Sequence, residues 1–139
     1  MRVDVLHGVN FDQLGRRDAL VYGGGTLAQL EERIAGWATE RGIEASFFQT
    51  NYEGAYVERI HAAEADALIL NPGAWSHYAW AIRDALDLSG LRAVEVHLSD
   101  ITAREEWRRL SVISELCETT ITGKGPEGYR DALDALRAR

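Results

Sequence analysis

Short apolar runs alternate along this chain with stretches whose apolar residues recur every three or four positions, and that rhythm constrains the fold more than any other feature. Arg2–Leu6 (RVDVL), Ala45–Gln49 (ASFFQ), Ala67–Leu70 (ALIL), Ala93–Val96 and Thr119–Thr122 read as strands. ALIL is apolar throughout, as a central parallel strand covered on both faces should be. Between the strands, Thr26 opens a helix. It stands three residues before Gln29, which makes a capping box for the exposed amides of the first turn. Leu27, Leu30, Ile34, Trp37 and Ala38 then share one face, and Gly42 ends the helix. Further helices are predicted over Tyr56–Ala63, from about Ser76 to Leu88, and over Glu127–Leu136. Five strands, each followed by a helical segment, imply a parallel α/β sheet with helices on both faces: three layers in a single domain, 1–139.

The composition narrows the partners. With 22 Asp and Glu against 15 Lys and Arg, the formal charge is −7, which disfavours a nucleic-acid partner whose phosphates demand a basic face. Arg16 with Arg17, and Arg104 with Arg108 and Arg109, are local exceptions that suit one small anionic ligand, although most arginines are solvated surface charges. The single cysteine, Cys117, excludes an internal disulfide and reads as a small buried hydrophobe. No apolar run approaches the ~18 residues of a membrane span, and the opening MRVDVLHG has no signal-peptide core. A soluble cytoplasmic protein is expected.

In open α/β sheets, ligands bind beyond the carboxyl ends of the strands, near the point where strand order reverses. Reading off those ends gives His7-Gly8-Val9-Asn10, Asn51-Tyr52-Glu53, Asn71-Pro72-Gly73-Ala74, His97-Leu98-Ser99 and Gly123-Lys124-Gly125. If the order is 2-1-3-4-5, the crevice opens between the first and third strands, and Asn10 faces Asn71.

Glu95-Val96-His97 is the most chemical fragment. Alternation puts Glu95 and His97 on one side of the sheet, where a carboxylate can orient an imidazole suited to general acid work. The plain alternative is a structural histidine at a strand end. Arg16, Arg17 and Tyr22 lie in a long loop closed by Gly23-Gly24-Gly25, which reads as a lid on glycine hinges. A free phenol titrates near ~10, and a guanidinium within a few ångströms lowers such a value by roughly 1–3 units. Alone, Tyr22 would simply pack the loop down. His77 falls in the first turn of the helix after Asn71-Pro72-Gly73-Ala74-Trp75-Ser76, where the dipole favours a neutral imidazole, and Ser76 reads as an N-cap. His61 has no visible partner. Nucleotide-binding glycine motifs are absent, and no cluster has metal-ligand spacing.

Taken together, G-V-N-F-D-Q-L-G-R-R with Y-G-G, N-P-G-A-W-S-H, E-V-H-L-S-D, A-R-E-E-W-R-R-L-S and G-K-G-P-E-G-Y resemble, in order and spacing, the motif series of the type II 3-dehydroquinate dehydratases. The resemblance covers essentially the whole chain. It implies a flavodoxin-like fold with order 2-1-3-4-5, no metal or organic cofactor, and dehydration of 3-dehydroquinate to 3-dehydroshikimate by anti elimination through an enolate. By motif, Tyr22 matches the base and Arg17 the arginine that activates it. Asn10 matches the residue that stabilises the enolate and holds the water, and His97 the acid, with Glu95 behind it. Asn71, His77, Leu98, Ser99 and Arg108 match substrate-binding positions. Asp84 matches a residue supplied by an adjacent subunit, so a trimer-based dodecamer is implied.

Four departures stand out. The family's usual N-G-P-N appears as His7-Gly8-Val9-Asn10, and its N-H-E-G as Asn51-Tyr52-Glu53-Gly54. Asp100 replaces a common Asn, and Thr102 a common His. Losing the proline is expected to loosen the turn that presents Asn10. Asp100 is expected to bring negative charge towards an anion site, and the four departures together motivate a second reading: a divergent paralogue that binds or converts another polyhydroxy carboxylate.

Overall fold

Strands β1 (Arg2–His7), β2 (Glu44–Gln49), β3 (Ala67–Asn71), β4 (Arg92–His97) and β5 (Thr120–Thr122) form one sheet in the order β2-β1-β3-β4-β5 in the computed structural model, which describes residues 1–138. Every pairing is parallel. Strand alternation sorts the core into two halves. Val3, Val5, Ala67, Ile69, Val94 and Val96 face α2 (Leu27–Glu40) and α5 (Glu127–Arg137), while Leu6, Leu68, Leu70 and Ala93 face α3 (Glu53–His61) and α4 (Trp80–Ser89). The result is the three-layer, flavodoxin-like arrangement that the sequence implies.

Local chemistry accounts for the helix bounds. At α2, Thr26 Oγ1 accepts from Gln29 N at 3.2 Å and Gln29 Oε1 accepts from Thr26 N at 2.9 Å, so the capping box closes as expected. Leu30, Ile34 and Ala38 form its buried stripe, and Gly42 follows it at φ 67. At the other end of the chain, α5 buries Tyr129, Ala132, Leu133 and Leu136.

Several expected bounds shift. The third helix begins at Glu53 and ends at His61, before the predicted Ala63. The helix expected from Ser76 to Leu88 is two elements, a 3-10 turn over Gly73–His77 and then α4, broken at Tyr78 and Ala79. Ser76 therefore caps no helix; its hydroxyl donates to the Gly73 carbonyl at 2.8 Å. The long loop after β1 contains a 3-10 turn (Phe11–Arg16) and a one-turn helix, α1 (Ala19–Tyr22). Asp18 accepts from Leu20 N at the start of α1, and Gly23 ends it at φ 89. Finally, the β4–β5 connection holds only 3-10 turns, at Ile101–Ala103, Glu106–Arg109 and Ser114–Leu116. That stretch has no apolar stripe at helical spacing, and Trp107 and Leu110 are exposed. The strands also run further than expected: His7, Asn71 and His97 are the last paired residues of β1, β3 and β4.

Candidate active site

Sheet order reverses between β1 and β3, and the two chains separate there under tight steric control. A Cβ on Gly8 would lie 2.1 Å from the Pro72 carbonyl oxygen, so only glycine lets the turns after β1 and β3 cross. Asn10 follows at φ 70, a left-handed conformation that asparagine tolerates. Its amide donates to Asn51 Oδ1 at 2.8 Å, and its carbonyl accepts from Gln13 N at 3.0 Å. Two hydrogen bonds thus tie the turn that presents Asn10.

The long loop after β1 brings Tyr22 to the carboxyl edge of the sheet. Arg17 Nη2 donates to the Tyr22 hydroxyl, and the Arg17 Cζ lies 4.0 Å from the centre of the ring. Arg104, from the β4–β5 connection, donates to the same hydroxyl at 2.7 Å and reaches Ser99 Oγ at 3.3 Å. Two cationic donors on one phenolic oxygen suit an oxygen that becomes anionic.

On β4, Glu95 and His97 meet as alternation predicts, His97 Nε2 to Glu95 Oε2 at 2.5 Å. Because the carboxylate only accepts, Nε2 carries a proton and Nδ1 is left for exchange. Glu95 is fully buried and also accepts from Ser111 Oγ at 2.7 Å and Thr120 Oγ1 at 3.0 Å. Burial pulls its carboxyl upward, but the hydrogen bonds outweigh this and hold it below its ordinary value. The ring of His77 stacks on His97 at 6.2 Å between centres. Its Nδ1 donates to the Leu110 carbonyl at 2.6 Å, leaving Nε2 as an acceptor. Burial lowers the His77 imidazole below its usual value. Desolvation, and not the α4 dipole, is the cause of that lowering, since His77 sits before α4 and outside its first turn.

One cavity gathers these groups. It is lined by Asn10, Arg17 and Tyr22 from the β1 side, by Asn71 and His77 after β3, and by His97, Leu98, Ser99, Arg104 and Arg108 after β4. Asn71 stands beside His7 in the register, and the carbonyls of Leu98 and Ser99 accept from the Gly125 and Gly123 amides. Arg108 pairs with Glu105 at 2.6 Å. Two of the expected residues lie elsewhere. Glu95 stands behind His97, and Asp84 is on the exposed face of α4. Arg104 was visible in the sequence only as one of a group of arginines; the spacing carried no sign that it would reach Tyr22.

Asp100 turns away from the cavity. Its carboxylate accepts from Thr102 N at 3.0 Å and Thr102 Oγ1 at 2.6 Å, and these bonds hold it below its ordinary value. The Asp100 and Thr102 departures therefore satisfy each other within one turn, and the Asp100 carboxylate keeps its charge there. Tyr52 is exposed, and Cys117 is partly buried with its thiol pushed up to about 12. Among the described residues, no three His, Cys, Asp or Glu side chains gather as a metal centre requires. No helix among them is long and apolar enough to cross a membrane.

A family model described as dehydroquinase class II matches residues 1–137. The chain is 45% identical over 137 residues to the 3-dehydroquinate dehydratase of Thermotoga neapolitana, covering 99% of this chain and 94% of that protein. It is 47% identical over 135 residues to that of Pelobacter propionicus, covering 95% and 91%. The fold is similar to the crystal structure of type II dehydroquinase from Propionibacterium acnes, with a TM-score of 0.93 and 40% identity over 99% of this chain and 97% of that one.

Proposed function

The chain belongs to the class II dehydroquinase family, and from that membership we propose what its site does: it dehydrates 3-dehydroquinate to 3-dehydroshikimate, a step of the shikimate pathway. The observation that carries the assignment of roles is that Tyr22 and His97, held by different elements, line one cavity.

Tyr22, as phenolate between the Arg17 and Arg104 guanidiniums, removes the proton on the carbon next to the ketone. The electron pair moves into an enolate, which Asn10 stabilises through preorganised polar groups. As the enolate collapses, the bond to the hydroxyl breaks and His97 gives that oxygen its Nδ1 proton, releasing water and the conjugated enone. Glu95 offsets the charge of the protonated ring before transfer. The proton held by Tyr22 then returns to His97 through water, which resets the site. Leu98 and Ser99 receive the carboxylate through their backbone amides, while Asn71, His77 and Arg108 hold the remaining polar groups of the ring. Anti elimination requires base and acid on opposite faces of the substrate, a demand that a lid tyrosine and a strand-end histidine suit.

We propose further that the whole chain acts as one domain in a trimer-based dodecamer in the cytoplasm. Trp80, Asp84 and Leu88 fall at i, i+4 and i+8 on α4, and Trp80 and Leu88 are 61% and 79% exposed. An apolar face of that kind supports a contact between subunits, with Asp84 delivered across it to a neighbour's lid.

The test is direct. Purified protein given 3-dehydroquinate should raise the near-ultraviolet absorbance of a conjugated enone. A folded protein that produces no such rise, across pH and salt, overturns the reading.

A further inference from the structure

Beneath Asn71 lies a buried polar relay that the mechanism does not use. The Asn71 Nδ2 is 2.9 Å from the hydroxyl of Tyr129, and that hydroxyl is 2.8 Å from His7 Nε2. His7 and Tyr129 are fully buried and Asn71 nearly so. The three come from β1, β3 and α5, so the relay joins both strands at the point where sheet order reverses to the helix that covers them. Phe11 packs over the His7 ring at 4.8 Å between centres. Its Nδ1 has no partner among the described residues.

Such a relay has two coherent directions. In one, Asn71 Nδ2 donates to the Tyr129 oxygen and the Tyr129 proton goes to His7 Nε2. In the other, His7 Nε2–H donates to the Tyr129 oxygen and the Tyr129 proton goes to an Asn71 amide turned end for end. A hydroxyl has one proton, so the tautomer of His7 and the orientation of the Asn71 amide are coupled. The Gly73 amide favours the first: it donates to Asn71 Oδ1 at 3.4 Å, which only that direction permits, at the cost of a buried His7 Nδ1–H with no acceptor among the described residues.

Resting on the function proposed above, we infer that His7 and Tyr129 are positioning residues, which lock the Asn71 amide in the orientation that meets the substrate. Through Tyr129, a neutral His7 that accepts at Nε2 fixes the polarity of a cavity-lining amide. That amide cannot rotate to suit a ligand of opposite polarity, so the relay confers selectivity among polyhydroxy carboxylates. Burial keeps both partners uncharged, His7 with its imidazole lowered to about 3 and Tyr129 with its hydroxyl raised.

The experiment has two arms. Nitrogen-15 NMR of the labelled wild-type protein should show His7 as the Nδ1–H tautomer, unchanged from pH 5 to 9; an Nε2–H tautomer overturns the inference whether or not the protein turns over 3-dehydroquinate. In the kinetic arm, Tyr129→Phe and His7→Leu should each lower kcat/KM at least tenfold, chiefly through KM, and His7→Gln, which keeps an acceptor, should recover most of that loss. Placed on Asn71→Ala, Tyr129→Phe should cost less than twofold. A folded Tyr129→Phe protein with wild-type kcat/KM overturns the inference, and so does an equal loss with and without Asn71. A wild-type protein without turnover rejects the function proposed above, and the tautomer still decides the relay.

Discussion

Arg104 donates a 2.7 Å hydrogen bond to the hydroxyl of Tyr22, a residue 82 positions away in the chain. Its Cζ stands 5.2 Å from the centre of the same ring, and the guanidinium also reaches Ser99 Oγ. Arg17, only five residues from Tyr22, supplies the second cationic donor. A local contact and a distant one thus converge on one oxygen, and the distant one fastens the lid to the turn after β4.

Removing that oxygen tests the convergence. Tyr22→Phe should lower kcat by about 10²–10⁴-fold, the usual worth of a positioned proton-transfer group. Arg104→Leu should also lower kcat, but on the Tyr22→Phe background its effect should shrink to within about twofold, because both changes act through the same oxygen. Initial rates from enone absorbance decide; additive losses would show that Arg104 acts elsewhere.

Gly23, which ends α1, is a second target. Gly23 sits at φ 89, and a Cβ there would lie 2.7 Å from Pro126 Cδ. Gly23→Ala should therefore cost about 1–2 kcal/mol of local strain, most of it relieved by displacing the short α1 turn that carries Tyr22. We expect roughly a tenfold lower kcat/KM with little change in Tm. Unaltered kinetics would mean that the lid position does not depend on this contact.

Glu95→Gln removes a charge and reverses a hydrogen-bond polarity. Glu95 accepts from His97, Ser111 and Thr120. An amide nitrogen in its place would confront a donor, at a cost of about 1–3 kcal/mol in a buried site. Calorimetry should show a lower Tm, and kcat should fall because the protonated His97 loses its counter-charge. A Tm equal to that of the wild type would contradict the buried geometry.

Acid stability should report on His7. Its folded value is lowered to about 3 from 6.5, so between pH 6.5 and 3 the unfolded chain binds a proton that the folded chain does not. Stability contributed by the neutral ring is full above pH 6.5 and is lost as pH falls across that window, at up to about 1.4 kcal/mol per pH unit. Urea unfolding at pH 7 and pH 4.5 should show a stability difference that is smaller by up to about 2.5 kcal/mol in His7→Gln. Equal differences in the two proteins would rule out His7 as the source.

Assembly is tested on α4. Trp80→Glu or Leu88→Glu places a charge on the exposed apolar face, and sedimentation should show the large wild-type particle replaced by smaller species, with activity reduced if Asp84 serves a neighbouring lid. A wild-type protein that sediments as a protomer would overturn the proposed oligomer.

Much of this molecule was legible along the chain because its signals are local. Apolar period and capping chemistry set the five strands and the helix at Leu27–Glu40, and the alternation of Glu95 with His97 set their contact, since neighbours two apart on a strand must share a side. The lid pair Arg17 and Tyr22 is local in the same sense. What the chain order could not carry is everything that depends on which distant segments meet. Arg104 at Tyr22 and His7 joined through Tyr129 to Asn71 each follow from packing, where a side chain's partner is chosen by the space left between elements. The 3-10 connection between β4 and β5 belongs there too, for it has no stripe of its own and is held by bonds from Leu110 and Val112 to the turn after β3 and to α4. Periodicity and capping act over a few residues and are written in order; convergence on a cavity depends on three-dimensional distance, which only the folded chain defines.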